Sequence, residues 1–188
     1  MRLLMHLCCA PCAAYPLSVL KERGVAVTGL WYNPNIHPFT EYRSRVGAVR
    51  QLEALWNIDV RYRDEYGLKR YLREVSGNED ARCAVCYRMR LDEAARTARE
   101  IGADAFSTSL LVSPYQQFGL IVEVGRALER EHDVEFYAED FRGGFREGRR
   151  LTREMGLYRQ KYCGCIYSEM ERYLGKREAT TQKATSNE

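Results

Sequence analysis

The chain predicts an α/β fold: a parallel sheet sandwiched by helices, of nucleotide-binding type, in a single domain. Three observations carry that prediction. Short apolar, β-branched runs alternate along the chain with longer amphipathic stretches, and this rhythm makes βαβ units whose crossovers place helices on both faces of a parallel sheet. The length, 188 residues, falls within the roughly 100–200 residues usual for one domain and suffices for a buried core. Hydrophobic residues at 45% and charged residues at 29% are ordinary for a globular protein.

Taken in order, Leu3 to Leu7 reads as a buried strand, and Cys12 to Arg23 as a helix stopped by Gly24. Val25 to Tyr32, rich in β-branched and aromatic residues, is the second strand and runs into a turn at NPNIHP. Thr40 to Trp56 is a long amphipathic helix, IDVRYR alternates as a third strand, and a short helix near Leu68 to Val75 precedes the polar loop SGNED. The second half repeats the pattern with a helix over Cys86 to Ile101, the strand ADAFSTS, a helix over Gln116 to Glu131 and the strand VEFYAED. A helical stretch then runs through Met155. The domain is expected over residues 1–175, and residues 176–188, polar and without apolar periodicity, are expected to form a disordered tail.

Ligands of such sheets sit beyond the carboxyl ends of the strands. Cys8, Cys9, Asn33, Thr108, Ser109, Glu139 and Asp140 fall there. No stretch approaches the roughly 20 apolar residues of a membrane helix. Leu3 to Leu7 is too short for the apolar core of a secretory signal, so a cytoplasmic protein is expected. The seven cysteines are an odd number, and in a reducing compartment metal binding or redox chemistry is a better use for them than structural bridges. The net charge of +3 is mild, but Arg142 to Lys161 holds seven basic residues against two acidic ones.

The cysteines form three groups: Cys8, Cys9 and Cys12 after the first strand, Cys83 and Cys86 at a helix start, and Cys163 and Cys165 around one glycine. A CxxC pair can aim two thiolates at one metal, and a helix amino terminus favours their anionic form. Joined by Cys8 and Cys9 from a strand end, Cys83 and Cys86 make a four-thiolate set suited to an iron-sulfur cluster; structural zinc and inert buried thiols are the alternatives. Cys12 is either a packing residue of its helix or a ligand to a second metal with Asp140 or Glu139. Cys163-Gly164-Cys165 reads as a reversible dithiol that supplies or relays two electrons, since strained disulfides are the labile, catalytic ones. Alternatively these two cysteines are the second cluster pair and Cys8 and Cys9 do something else.

The sequence resembles the cobalamin-independent epoxyqueuosine reductases. The resemblance rests on CCAPC at Cys8 to Cys12, RCAVCYRMRL at Arg82 to Leu91, STSLLVSPYQ at Ser107 to Gln116, FYAEDFR at Phe136 to Arg142 and YRQKYCGCIYS at Tyr158 to Ser168. It implies a fold related to the adenine nucleotide α-hydrolases and reduction of the epoxide of epoxyqueuosine to the cyclopentene of queuosine at the tRNA wobble position. It also implies a [4Fe-4S] cluster on Cys8, Cys9, Cys83 and Cys86 and a redox-active pair at Cys163 and Cys165.

Epoxide deoxygenation needs an electron source, an electrophile for the oxygen and an acid. A mononuclear iron near Cys12 and Asp140 would supply the electrophile. Asp140, Glu139 and Tyr115 are the candidate acids, and an anionic cluster nearby should raise a carboxyl's pKa. A solvated strand-end turn is the plain alternative for Glu139 and Asp140. His6 reads as a core residue, His37 as a loop residue without a role, and Ser113 as a helix cap. For tRNA, Arg142, Arg146, Arg149 and Arg153 recur at helical spacing with Arg150 beside them, and are expected to contact phosphate, with Phe145, Tyr158 or Tyr162 stacking on an unpaired base. An electron donor of unidentified nature is also required. Two other readings compete: a non-catalytic or regulatory iron-sulfur or zinc protein, and a tRNA sulfurtransferase of related fold. The latter needs a glycine-rich phosphate loop where this chain has CCAPC.

Overall fold

The computed structural model describes the backbone of residues 1–185 and the side chains of residues 1–175. Five strands, β1 (Arg2–His6), β2 (Ala26–Trp31), β3 (Asp59–Tyr62), β4 (Ala105–Thr108) and β5 (Glu135–Phe136), form one sheet in the order β3-β2-β1-β4-β5. Every neighbouring pair is parallel, with Leu3 opposite Val27 on one side and Ala105 on the other. The order reverses at β1, so the crevice beyond His6 is the topological switch point at which such sheets bind ligands.

The helices are α1 (Ala10–Glu22), α2 (Phe39–Trp56), α3 (Leu68–Val75), α4 (Arg82–Glu100), α5 (Phe118–His132), α6 (Phe145–Glu154) and α7 (Ile166–Thr185). On one face α1 packs between α2 and α6; on the other α4 covers β1 and β4 beside α5. Leu3, Leu4, Met5, Leu7, Trp31 and Phe106 are buried between these layers. A central strand covered on both sides has no solvated face, which is why the first strand reads as a continuous apolar run.

The expected fold class and every expected strand and helix are present, with shifted boundaries. The first helix starts at Ala10, because Cys9 is extended (φ −176°) and Pro11 supplies the pre-set φ of a first turn. α4 starts at Arg82, so that both Cys83 and Cys86 lie on its opening turns. α5 starts later than expected, at Phe118, and Ser113 accepts the Tyr115 N–H in the preceding turn rather than capping a helix. The last expected strand is reduced to two residues. The backbone of α7 is helical through Thr185, across most of the stretch expected to be a disordered tail; residues 186–188 lie outside the described residues. Among the described residues no helix is long and apolar enough to cross a membrane.

Candidate redox site

The β1–α1 turn delivers three sulfurs to one point. The Sγ atoms of Cys8, Cys9 and Cys12 lie within 4.8 Å of one another, all buried. An extended Cys9 followed at once by a helix turns the chain so that residues 8, 9 and 12 converge. Ser109, just beyond β4, fixes Cys8 by accepting its N–H at 3.0 Å and donating to its sulfur at 3.4 Å. Below it His6 bonds Thr108 Oγ1 through Nδ1 (2.9 Å) and Asn33 Oδ1 through Nε2 (3.2 Å), and Asn33 donates to the Leu7 carbonyl. Burial lowers the His6 pKa to about 4, so its ring is neutral and ties three strand ends together. His6 is the core residue expected.

Electrostatically the three thiols behave as a unit. Hydrogen bonds from Cys12 and Cys9 hold Cys8 well below the ordinary thiol range, while burial pushes Cys9 up and the bond to Cys8 pushes Cys12 up. The turn accepts one negative charge readily and resists a second, until a cation shares it. Cys12 belongs to this unit, and the Gln160 amide reaches its sulfur at 3.5 Å.

The other four cysteines form a second, looser set. Cys83 and Cys86 each feel the charges of Cys163 and Cys165, and Cys86 and Cys165 pack with Tyr71 and Val75 in a small cluster of their own. Neither cysteine of α4 joins Cys8 and Cys9 within 4.8 Å. The two sets meet at Arg90, whose buried guanidinium donates to Cys86 Sγ at 3.1 Å and lies within Coulombic reach of Cys163 and Cys8.

The dithiol loop is held from three sides. Arg45, buried and paired with Glu41 at 2.7 Å, donates to the carbonyls of Cys163 (2.7 Å) and Tyr162 (2.9 Å). His37 N–H donates to the Gly164 carbonyl, and Tyr162 Oη–H donates back to the His37 carbonyl at 2.6 Å. Gly164 has φ +140°, and a Cβ there would come 3.1 Å from Arg45 Nη1 and 3.2 Å from Ile36, so both its backbone and its crowding call for glycine. Gln116 donates to Cys163 Sγ at 3.1 Å and accepts the Tyr87 hydroxyl at 2.7 Å. Cys163 and Cys165 are free thiols.

A cavity of about 1120 Å³ reaches both sets and is lined by Cys8, Cys12 and Cys163. Its lining also carries Tyr115, 82% exposed and edge-on to Phe145 at 5.7 Å, together with Arg149, Arg159, Lys161 and Arg172. That exceeds the few hundred to 1,000 Å³ of a typical small-molecule pocket.

Several expected site residues are placed elsewhere. Asp140 is exposed and does not line the cavity; its carboxylate accepts from Arg142 Nε (2.8 Å), Nη2 (2.6 Å) and N–H (3.0 Å), which hold its pKa down to about 2. This is the reverse of the raised value an acid needs. Glu139 is likewise taken, by Arg23. Of the expected phosphate-contacting arginines, Arg142 is neutralised by Asp140 and Arg150 by Glu147 and Glu154, whereas Arg149 lines the cavity. Arg146 and Arg153 have no ion pair among the described residues and do not line the cavity. Arg45, Arg90 and Arg172 escaped the sequence reading. The first two carry a signal in hindsight, each one helical turn after a partner, Glu41 or Cys86.

A parallel sheet whose switch point gathers thiols beside a cavity lined by aromatic and basic side chains defines a thiol-bearing site of oxidoreductase type. The family model described as "Epoxyqueuosine reductase QueH" matches residues 3–171. Proteins of that name from Dehalococcoides mccartyi and Thermotoga maritima are 43% and 35% identical to this chain, over 92% and 90% of it and 94% and 91% of their own lengths. The chain belongs to the epoxyqueuosine reductase QueH family. Among solved structures, the U34-tRNA thiolase NcsA from Methanococcus maripaludis, with its [4Fe-4S] cluster, superposes with a TM-score of 0.58 at 15% identity, over 99% of this chain and 67% of that one. At that identity the likeness shows the fold.

Proposed function

We propose that this protein reduces the epoxide of epoxyqueuosine in the tRNA anticodon loop to the alkene of queuosine, in the cytoplasm. The observation that carries the reading is seven cysteines in two sets converging on Arg90 beneath a basic cavity, in a chain of this family. The donor set fits an iron-sulfur cluster: the donors are sulfur, Cys8, Cys9 and Cys86 are buried and Cys83 half-buried, and no carboxylate joins the group at the β1–α1 turn. Cys8 and Cys9 with Cys83 and Cys86 are the ligands proposed, and Cys163 with Cys165 the redox-active pair. When bound, the cluster supplies electrons one at a time. A second arrangement, with Cys8, Cys9 and Cys12 as a three-thiolate set, is favoured by their mutual proximity.

The overall change balances on the dithiol. Two thiols give up two electrons and two protons, an S–S bond forms, both C–O bonds of the epoxide break, and the oxygen leaves as water while a C=C bond forms. A reductant of dithiol or one-electron class must then restore the pair. Gln116 and Tyr87 orient the Cys163 sulfur, and Arg45 fixes the loop that carries it. Tyr115 and Phe145 offer aromatic faces to an unstacked base, and Arg149, Arg159, Lys161 and Arg172 offer cations to flanking phosphates. The test is to reconstitute the protein anaerobically with iron and sulfide, add epoxyqueuosine-containing tRNA and dithionite, and digest to nucleosides. Queuosine in the mass spectrum is expected; unchanged epoxyqueuosine with a loaded centre overturns the reading.

A further inference from the structure

Two buried guanidiniums flank the cysteines, and they differ in one respect. Arg45, 1% exposed, has a carboxylate partner in Glu41. Arg90, 2% exposed on α4, forms no ion pair with any carboxylate among the described residues. Its Nε donates to the Cys86 carbonyl and its Nη2 to the Cys86 sulfur, both at 3.1 Å, and the group lies 5.7 Å from the Tyr87 ring centre. Arginine does not deprotonate in proteins, and an unpaired buried charge is costly. Among the described residues the carbonyl and the ring offer it only dipoles, and the one group in contact that can take up a full negative charge near neutral pH is the Cys86 sulfur.

We infer that Arg90 is the fixed counter-cation of the sulfur centre, a positioning residue that favours its reduced and more negative state. The inference rests on the reading of the cysteines as a redox centre. Cys86, the sulfur that Arg90 touches at 3.1 Å, is pushed up by burial and stays neutral as a free thiol, whereas ligation to iron ionises it. Loading the centre therefore brings in the negative charge that Arg90 lacks. The cation holds electrons in the centre by attraction across a water-poor interior, where charges interact strongly. Coulombic reach to Cys86, Cys163 and Cys8 spans both thiol sets, so one guanidinium biases the cluster ligands and the dithiol together.

The consequence is a pair of effects of opposite sign. In the metal-free protein Arg90→Met removes an uncompensated buried charge and is expected to raise the thermal unfolding temperature. In the reconstituted protein the same change, with iron and labile sulfide content unaltered, is expected to move the reduction midpoint negative, so that the reduced-to-oxidised ratio at the parent's midpoint falls at least tenfold. Arg90→Lys, which keeps the charge, should stay near the parent midpoint. The experiment is thermal unfolding of the three metal-free proteins and an anaerobic dye-mediated redox titration, followed by electron paramagnetic resonance, of the three loaded ones. Arg90→Met that fails to fold, unfolds at a lower temperature when metal-free, or titrates at the parent's midpoint when loaded, overturns the inference and leaves Arg90 a packing residue of α4. A parent that takes up no iron and sulfide overturns the functional reading instead, while the metal-free comparison still decides whether the charge is unpaired.

Discussion

His37 is buried, and neither of its ring nitrogens has a partner, nor does either polar atom of the neighbouring Asn35 side chain. The ring lies against Tyr66 and Tyr71, at 5.6 and 5.3 Å between centres. Burial lowers its pKa from the usual 6.5 to about 4. A depressed histidine pKa means that the unfolded chain binds the proton first, so the stability it contributes is present above pH 6.5 and is lost as the pH falls towards 4. The whole effect is at most roughly 3 kcal/mol at 1.36 kcal/mol per pKa unit. His37→Phe, which keeps the ring and removes the titrating group, should match the parent at pH 8 and exceed it in urea unfolding at pH 4.5. Equal midpoints at both pH values would mean that the imidazole is already hydrated in place. His6, depressed for the same reason, contributes in the same window and leaves a residual slope in both proteins.

At the scale of elements, the placing of α6 decides which arginines can meet a nucleic acid. α6 lies tight on α1 because Gly148 has no side chain: a Cβ there would sit 2.6 Å from the Pro11 carbonyl oxygen. Gly148→Ala should cost about 1–3 kcal/mol through overpacking, despite alanine's better helix propensity, and should push Arg149 away from the cavity. Denaturant unfolding reads the first effect, and a stability equal to the parent's would show that the two helices slide apart freely. The arginine stripe was legible from spacing alone, but spacing counts charge and not its neutralisation. Glu147 and Glu154, three and four residues from Arg150, take that side chain out of play; the Asp140–Arg142 pair depends on a turn geometry that periodicity does not encode. Arg149→Ala should therefore weaken tRNA binding and reduce the slope of log K against log salt by about one phosphate contact. Arg150→Ala should do less, as measured by filter binding from 50 to 200 mM salt, and an equal loss for both would show that the two acids release Arg150 to the RNA.

Over the whole molecule, the order of strands and helices and the position of the site at their carboxyl ends were readable in the sequence, because periodicity, glycine stops and the rules of βαβ winding are local or nearly so. The grouping of the cysteines was not. Which thiols meet depends on how α4 rotates over β1 and β4 and on the clamp by which Arg45 and His37 draw residues 162–164 toward the β2–α2 loop, contacts between residues more than one hundred positions apart. Family resemblance supplied a ligand set of Cys8, Cys9, Cys83 and Cys86; geometry adds Cys12 to the first pair and sets Cys163 and Cys165 against the second. The two arrangements make opposite predictions for serine substitutions, since serine keeps the size of the side chain but is a poor ligand for iron in a cluster. If the four-thiolate set holds, Cys83→Ser and Cys86→Ser lose most of the iron and labile sulfide after anaerobic reconstitution, and Cys12→Ser keeps them. Arg90 argues for this outcome, because a cluster held by Cys86 and Cys8 together would bring negative charge to the one buried arginine among the described residues that has no carboxylate partner. Loss of iron in Cys12→Ser with retention in Cys83→Ser would instead assign the cluster to the β1–α1 turn alone and leave the other four thiols as the dithiol and its exchange partners.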